Sequence, residues 1–331
     1  MSASDKNNLI IGILGYGNRL PSLNAFRSLI ENQSVSKLAI FWNQPGADVR
    51  KALDKIRTLI PNINITISED NQGSAGGYAR LIEDFRDNET SAYLFLLDDD
   101  LRLAPDCIEN LVHAARLRSE LPESMLFLAN RPQLPELANL INKQQGIMRP
   151  RSGCCVGFHF LNLFRPLREA VRYSSATGLF IIDSAPWGGL FIPRAALPRL
   201  GLPREDFFLY AEDSELTYRF TQNGGKIFLV PDAEITDTEP AWNTVGGNIS
   251  NLRRRVLWLP EIKVFHEVRN RNYMARHYYP GFLPIYWINK FLFLASAYFI
   301  GITNRKFSRA LLIHQAINAG ERMAEKERRS K

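Results

Sequence analysis

Apolar and polar residues along this 331-residue chain follow two rhythms. Short unbroken apolar runs recur at NLIIGIL (8–14), KLAIFWN (37–43), NINITIS (62–68) and SAYLFLLD (91–98). They have the length and β-branched content of buried strands. Between them lie stretches of helical spacing, at 21–31, at 47–60 and from Gly76-Gly77 onward. Breakers punctuate the runs, with Gly15 and Gly17 closing the first and Gln44-Pro45-Gly46 the second. Strands separated by helices of about 10–15 residues predict a parallel α/β sheet. LFIID (179–183), GGLFIP (188–193) and KIFLVP (226–231) extend it. Residues 132–178 show no dominant period and predict no particular element.

The pattern changes near the C-terminus. Residues 282–302 form a mostly apolar run interrupted by Pro284, Asn289 and Lys290. At ~1.5 Å per residue it is long enough to cross a bilayer. A charge near its centre costs about 2.5–3.5 kcal/mol on insertion, which favours a helix lying in the interface over one that spans. A helix buried in protein fits the run equally well. Charge separates these readings. Residues 253–331 hold 16 Lys/Arg against 5 Glu and no Asp, a balance of +11, whereas residues 1–252 sum to −4. Arg305, Lys306 and Arg309 follow the apolar run directly, and Arg322 to Lys331 form a second basic stretch. Basic residues beside an apolar helix suit an anionic lipid surface. Two domains are therefore expected, 1–250 and 251–331.

With 45% hydrophobic and 23% charged residues, the composition excludes a disordered or fibrous chain. Three cysteines, two of them adjacent (Cys154, Cys155), make no disulfide framework and point to a reducing compartment. The first residues lack a basic region followed by a long apolar run, so no signal peptide is expected. A cytoplasmic location follows.

Chemistry is concentrated in two acidic clusters. Asp98-Asp99-Asp100 follows a strand directly, at the end where open α/β sheets bind ligands. Three crowded carboxylates repel one another unless a cation neutralises them, and such oxygens suit Mg2+ or Mn2+. The second cluster is Glu212-Asp213 in FFLYAEDSEL (207–216). Either acid could simply cap a helix. Two adjacent acids within an aromatic segment, downstream of WGGLFIP (187–193), are also suited to a general base. NQGSAGGYAR (71–80) is neither a P-loop nor a dinucleotide fingerprint, but its glycines allow close approach of backbone to a ligand.

The order of these segments resembles the family-two glycosyltransferases of GT-A fold, and within them the bacterial galactofuranosyltransferases. A strand is followed by GNR, then WNQ, DNQGSAGGYAR, LFLLDDDLRLAPD, WGGLFIP, LGLPREDFFLYAEDSEL and VPDAEITD, over about residues 8–240. FHEVRNRNYMARHYY (265–279) is similar to a tail helix of these enzymes and of the related rhamnosyltransferases. The resemblance implies a GT-A fold with a Rossmann-like, mostly parallel sheet and a C-terminal helical membrane-associating region. It implies an inverting, metal-dependent transfer of galactofuranose from UDP-galactofuranose to a lipid-linked surface glycan such as O-antigen. A rhamnosyltransferase using dTDP-rhamnose is the alternative. By the same resemblance, Arg19, Gln44 and Asn71 match positions that hold the nucleotide diphosphate. Asp98, Asp99 and Asp100 match the motif that contacts donor ribose and Mn2+ or Mg2+, and Trp187 matches an aromatic beside sugar and acceptor. Asp213 matches the base, with Glu212 its neighbour. The family's metal-binding His corresponds to Asp237 here, which is either a replacement metal ligand or an exposed turn residue. The implied partners are a nucleotide-sugar donor, a polyprenyl-diphosphate-linked glycan and an anionic membrane surface at the inner face of the cell membrane.

His113 and His266 read as structural, and Cys154 and Cys155 lack the spacing of a zinc site. Arg269 and Arg271 suit acceptor phosphate and an exposed helix face equally. The isoelectric point near 9.3 admits nucleic acid as a partner. Its basic residues cluster around an apolar helix, however, and no nucleic-acid module is recognisable, so none is expected.

Overall fold

A computed structural model describes residues 8–118, 121–238 and 251–330. The chain divides into two compact units. The first takes Met1–Gln145, Val171–Phe208 and Glu212–Glu239, and the second Gly146–Ala170, Leu209–Ala211 and Pro240–Lys331. The stretch without sequence periodicity is thus shared out, 146–170 going to the second unit. The boundary expected after residue 250 lies outside the described residues.

The first unit is built on a ten-stranded sheet among the described residues. Strands β1 (Leu9–Tyr16), β2 (Val35–Asn43), β3 (Ile63–Ser68) and β4 (Tyr93–Asp98) run parallel in the order β3-β2-β1-β4. Helices α1 (Leu23–Ile30), α2 (Ala47–Leu59) and α3 (Gly73–Asn88) connect them. Their apolar runs are buried on both faces, as crossover helices require. Each fully buried Leu, Ile or Phe contributes about 1.5–3 kcal/mol.

Beyond β4 the sheet mixes directions. β5 (Leu101–Leu103) and α4 (Cys107–Leu117) lead to β6 (Met125–Asn130), and α5 (Pro135–Lys143) follows. After β7 (Arg172–Ser174) and β8 (Leu179–Ile182), β9 (Leu190–Pro193) inserts antiparallel between β4 and β6. The short α6 (Leu197–Leu200) then precedes α7 (Glu212–Gln222) and β10 (Lys226–Asp237). β10 runs parallel to β6 until a register shift between Val230 and Glu234, then pairs antiparallel with β5. Pro231 sits in that irregularity, where a residue without an N–H can be tolerated. The strand read from sequence as ending at Pro231 therefore continues to Asp237, which faces Leu101.

The second unit is helical: α8 (Asn251–Leu257), α9 (Glu261–His277), α10 (Leu283–Thr303) and α11 (Phe307–Ser330). Arg255 and Glu267 form a buried ion pair, Nη2 to Oε1 at 2.7 Å. Burial pushes the Glu267 carboxyl up, but Arg255 and Arg271 outweigh it and hold it at about 2. The Asn270 side-chain amide donates to the carbonyls of Leu209 and Tyr210. The polar residues that interrupt the apolar run are accounted for here. Lys290 pairs with Glu321 at 2.8 Å and donates to Asn318, while Asn289 donates to the Gly153 carbonyl and accepts from the Phe160 N–H. With Tyr286, Phe293, Ala297 and Gly301 they form the buried face of α10. Its other face exposes Trp287, Ile288, Phe291, Phe299 and Ile302. By length and composition α10 is the one described helix able to cross a membrane.

Candidate active site

The acidic turn lies in the first unit, at the C-terminal end of β4. Asp98 is its last strand residue, and Asp99 and Asp100 make the turn into β5. The C-terminal ends of β1 to β3 supply the neighbouring loops, with Arg19 after β1, Gln44 after β2 and Asn71 before α3. Arg19 Nη1 reaches Asp99 Oδ1 at 2.9 Å and Asp100 Oδ2 at 3.2 Å. Gln44 is exposed with a left-handed backbone, φ 51°. Asn71 Oδ1 accepts the N–H of Gly73 and so fixes the turn into α3. Gly73 has φ +68°, and a Cβ there would collide with the Phe208 carbonyl oxygen. Only glycine meets both demands without strain.

Helix α3 starts three residues earlier than Gly76-Gly77, because this turn begins it at Gly73. Its first two turns place Ser74 and Tyr78 in the site. The Tyr78 hydroxyl donates to Asp98 Oδ1 at 2.6 Å. Its ring stacks on Trp187, centroids 4.6 Å apart. Trp187 is buried, and its Nε1 donates to Glu212 Oε1 at 3.2 Å. The Ser74 hydroxyl donates to the same oxygen. Trp187 therefore serves Glu212 through its indole edge, while Tyr78 covers its ring. Ser74, Tyr78, Trp187, Asp98 and Glu212 form one hydrogen-bonded and stacked chain linking the two acidic clusters.

Glu212 and Asp213 open α7, where unpaired backbone N–H groups favour negative charge. The chain enters through Phe208, Tyr210 and Ala211, all with φ between 62° and 66°. Such left-handed non-glycine residues cost about 1–3 kcal/mol each and concentrate at functional sites. Glu212 is 3% exposed, and its Oε2 has no hydrogen-bond partner among the described residues. Burial, reinforced by the charge of Asp213, pushes its carboxyl up to about 8. This environment favours its protonated form. Asp213 is less buried, and its Oδ1 accepts from the N–H and hydroxyl of Ser214. Two adjacent acids thus have different environments, one suited to donate a hydrogen bond and one to accept a proton.

Loss of hydration raises the Asp98 carboxyl above its ordinary value, against the pull of Tyr78 and Arg131. Asp99 is pushed up to about 6 for the same reason, with Arg19 opposing.

Asp237 corrects the sequence reading. It is not an exposed turn residue, and its carboxylate is engaged by a guanidinium. β10 delivers it, 5% exposed, to Arg131 just beyond β6, and both carboxylate oxygens pair with that guanidinium. Among the described residues, no group of three or more His, Cys, Asp or Glu is arranged to hold a metal ion. The expected set Asp98, Asp100 and Asp237 does not fit a resident divalent cation in this arrangement. Sequence reasoning missed Ser74, Tyr78 and Arg131. The first two lie in the segment NQGSAGGYAR that it singled out, whereas Arg131 lies in no motif it noted.

His113 is exposed on α4 and His266 lies edge-on to Phe265 on α9. All three cysteines are free and buried. Arg271 pairs with Glu267 and Arg269 donates to Asn270. A surface hollow between β2, β3 and α3, lined by Arg80, Glu83, Asp84 and Asp87 among others, contains none of the site's carboxylates.

No family model matches the chain. The galactofuranosyltransferase GlfT2 of Mycolicibacterium smegmatis is 21% identical over 241 residues, 70% of this chain and 37% of that protein. The chain thus spans well under half the length of this relative. Among solved structures, GalNAc-T7 with UDP, GalNAc and Mn2+ superposes with a TM-score of 0.53 at 14% identity, covering 92% of this chain and 59% of that one. The mannosyltransferase PcManGT from Pyrobaculum calidifontis, in complex with GDP-Man and Mn2+, gives 0.49 at 14%, covering 93% and 75%. The fold is the mixed α/β, mostly parallel fold of GT-A glycosyltransferases.

Proposed function

We propose that the chain transfers a sugar from a nucleotide-diphosphate donor to an acceptor hydroxyl, with Asp213 as base. The observation that carries this reading is the Glu212-Asp213 pair, tied through Trp187 and Tyr78 to the acidic turn at the sheet's ligand-binding end. A hydroxyl becomes a competent nucleophile when a carboxylate takes its proton during attack, an effect of about 10²–10⁴-fold. Asp213 performs this step, and the acceptor oxygen displaces the diphosphate from the anomeric carbon. Displacement in one step from the opposite face inverts that carbon. Glu212, held at Oε1 by Ser74 and Trp187, keeps a buried second oxygen without a hydrogen-bond partner among the described residues. Mn2+ or Mg2+ is the cofactor that the resemblance implies, but no step here runs through a metal, because the residues present do not make its site.

The donor is UDP-galactofuranose and the acceptor a growing glycan on a polyprenyl diphosphate, as in O-antigen assembly. The galactofuranosyltransferase relative supports the sugar, though over 37% of its own length. A donor series read by product mass tests this. UDP-galactofuranose should give acceptor extension, and extension only with dTDP-rhamnose would move the chain to the rhamnosyltransferases.

The chain works at the cytoplasmic face of the membrane, held there through α10. The observation in support is that its charge-free outer face exposes Trp287, Ile288, Phe291, Phe299 and Ile302 while Lys290 is turned inward to Glu321. A helix with one face bonded to protein and the other apolar suits the plane of the interface. Anionic vesicles should retain the protein in flotation, and the double substitution Phe291→Ser, Phe299→Ser should release it. Retention of the double variant equal to the parent would remove α10 as the anchor.

A further inference from the structure

A cation is already built into the acidic end of the sheet. Arg131, directly after β6, is 12% exposed and places Nε 3.1 Å from Asp237 Oδ2, with Nη2 paired to Oδ1. This is the two-pronged guanidinium–carboxylate geometry that fixes a side chain in both position and orientation. The third nitrogen is differently placed. Nη1 makes no hydrogen bond among the described residues and stands 3.9 Å from Asp98 Oδ2. The residue in front of it is Gly188, where a Cβ would lie 3.0 Å from Nη1 and 2.7 Å from Asp98 Oδ2. Two N–H donors of a fixed positive charge are therefore left beside the acidic turn.

We propose that Arg131 is the donor-diphosphate receptor of this site, with Asp237 its positioning residue, so that nucleoside-diphosphate binding requires no divalent metal. The inference rests on reading the site as one for a nucleotide-sugar donor. Its chemistry is that of guanidinium and phosphate, which pair through charge-assisted hydrogen bonds. Asp237 holds Nε and Nη2 and leaves Nη1 for a phosphate oxygen. A guanidinium stays protonated throughout the working pH range, so this charge is permanent. The surrounding carboxylates do not repel the ligand at full strength. Arg19 pairs with Asp99 and Asp100, and the Tyr78 hydroxyl donates to Asp98, so each acid of the turn already has a donor. When the sugar bond breaks, a charge fixed in advance meets the departing diphosphate without having to reorganise.

The experiment is calorimetric titration of the full chain with UDP, dTDP and uridine, in EDTA and in MnCl2, with electron paramagnetic resonance of Mn2+ added alone and with UDP. A nucleoside diphosphate should bind in EDTA with the affinity seen in MnCl2, and Mn2+ should stay in its free, fast-tumbling form. Arg131→Met should weaken diphosphate binding by about 10–100-fold, the scale of a lost hydrogen bond to a charged group, and leave uridine binding unchanged, which also reports that the variant is folded. Arg131→Lys should recover part of the loss. Asp237→Asn removes the charge and one of the two acceptors that hold Arg131, so it should weaken diphosphate binding in EDTA by less than Arg131→Met does and leave uridine binding unchanged. The proposal is overturned, with the glycosyltransferase reading intact, if either diphosphate binds only with Mn2+ and Asp237→Asn abolishes the bound Mn2+ signal. Equal diphosphate affinity of Arg131→Met and the parent overturns it as well. Failure of both diphosphates to bind with or without Mn2+ overturns the proposal together with the functional reading beneath it.

Discussion

Replacing Asp213 by Asn is expected to lower kcat by about 10²–10⁴-fold, the range that proton transfer by a positioned base contributes. Asn has the shape of Asp and keeps a side-chain oxygen able to accept from Ser214, as Asp213 does, but it cannot take a proton. Donor binding should be unchanged, since the nucleotide contacts assigned to Arg19, the acidic turn and Arg131 lie on other elements. Steady-state transfer and a UDP titration on the same preparation check this. Unaltered turnover would move the base elsewhere.

Glu212 should behave differently, and pH is the variable that reveals it. Its folded carboxyl is raised to about 8 from an ordinary 4.5. Between those values the folded chain holds a proton that the unfolded chain has released. Stability is therefore complete with respect to this group below about pH 4.5. It falls as pH rises towards 8, by about 1.4 kcal/mol per pH unit crossed. Glu212→Gln removes the ionisation and keeps the acceptor for Ser74 and Trp187. Its Tm should exceed that of the parent at pH 8–9 and approach it at about pH 4. Glu212→Ala strands the Ser74 hydroxyl and the Trp187 N–H in a buried site, at about 1–3 kcal/mol each, and should be destabilised at every pH. Thermal melts of the three proteins from about pH 4 to 9 check both statements. Parallel melting curves for the parent and Glu212→Gln would show that Glu212 is charged in the fold.

Much of this site is local in sequence and could be read there. The strand YLFLLD ends in its own acidic turn, and Glu212-Asp213 heads a helical pattern, so each cluster carries its context within a few residues. The links between clusters are not local. Tyr78 and Ser74 matter because α3 places them against Asp98 and Glu212, some 20 and 138 residues away. Asp237 was legible as a departure from the family pattern, but not its fate. Pro231 reads as the end of a strand, and only the register shift after Val230 shows β10 resuming, pairing with β5 and arriving at Arg131. β6 itself is a short apolar run, which periodicity alone does not separate from buried helix. In the sequence alone, the charge at Lys290 counts as a penalty for a spanning helix. Its pairing with Glu321 instead defines which face of α10 is turned inward.

These readings share one claim, that the chain is an inverting glycosyltransferase whose proton acceptor is Asp213. The most direct test is a reaction of the full chain with UDP-galactofuranose and a lipid-linked acceptor glycan, followed by NMR of the new anomeric centre. One UDP should be released per sugar transferred, the new anomeric configuration should be opposite to that of the donor, and Asp213→Asn should form product about 10²–10⁴-fold more slowly. A product of retained configuration, or equal product from the Asp213→Asn protein, would contradict it.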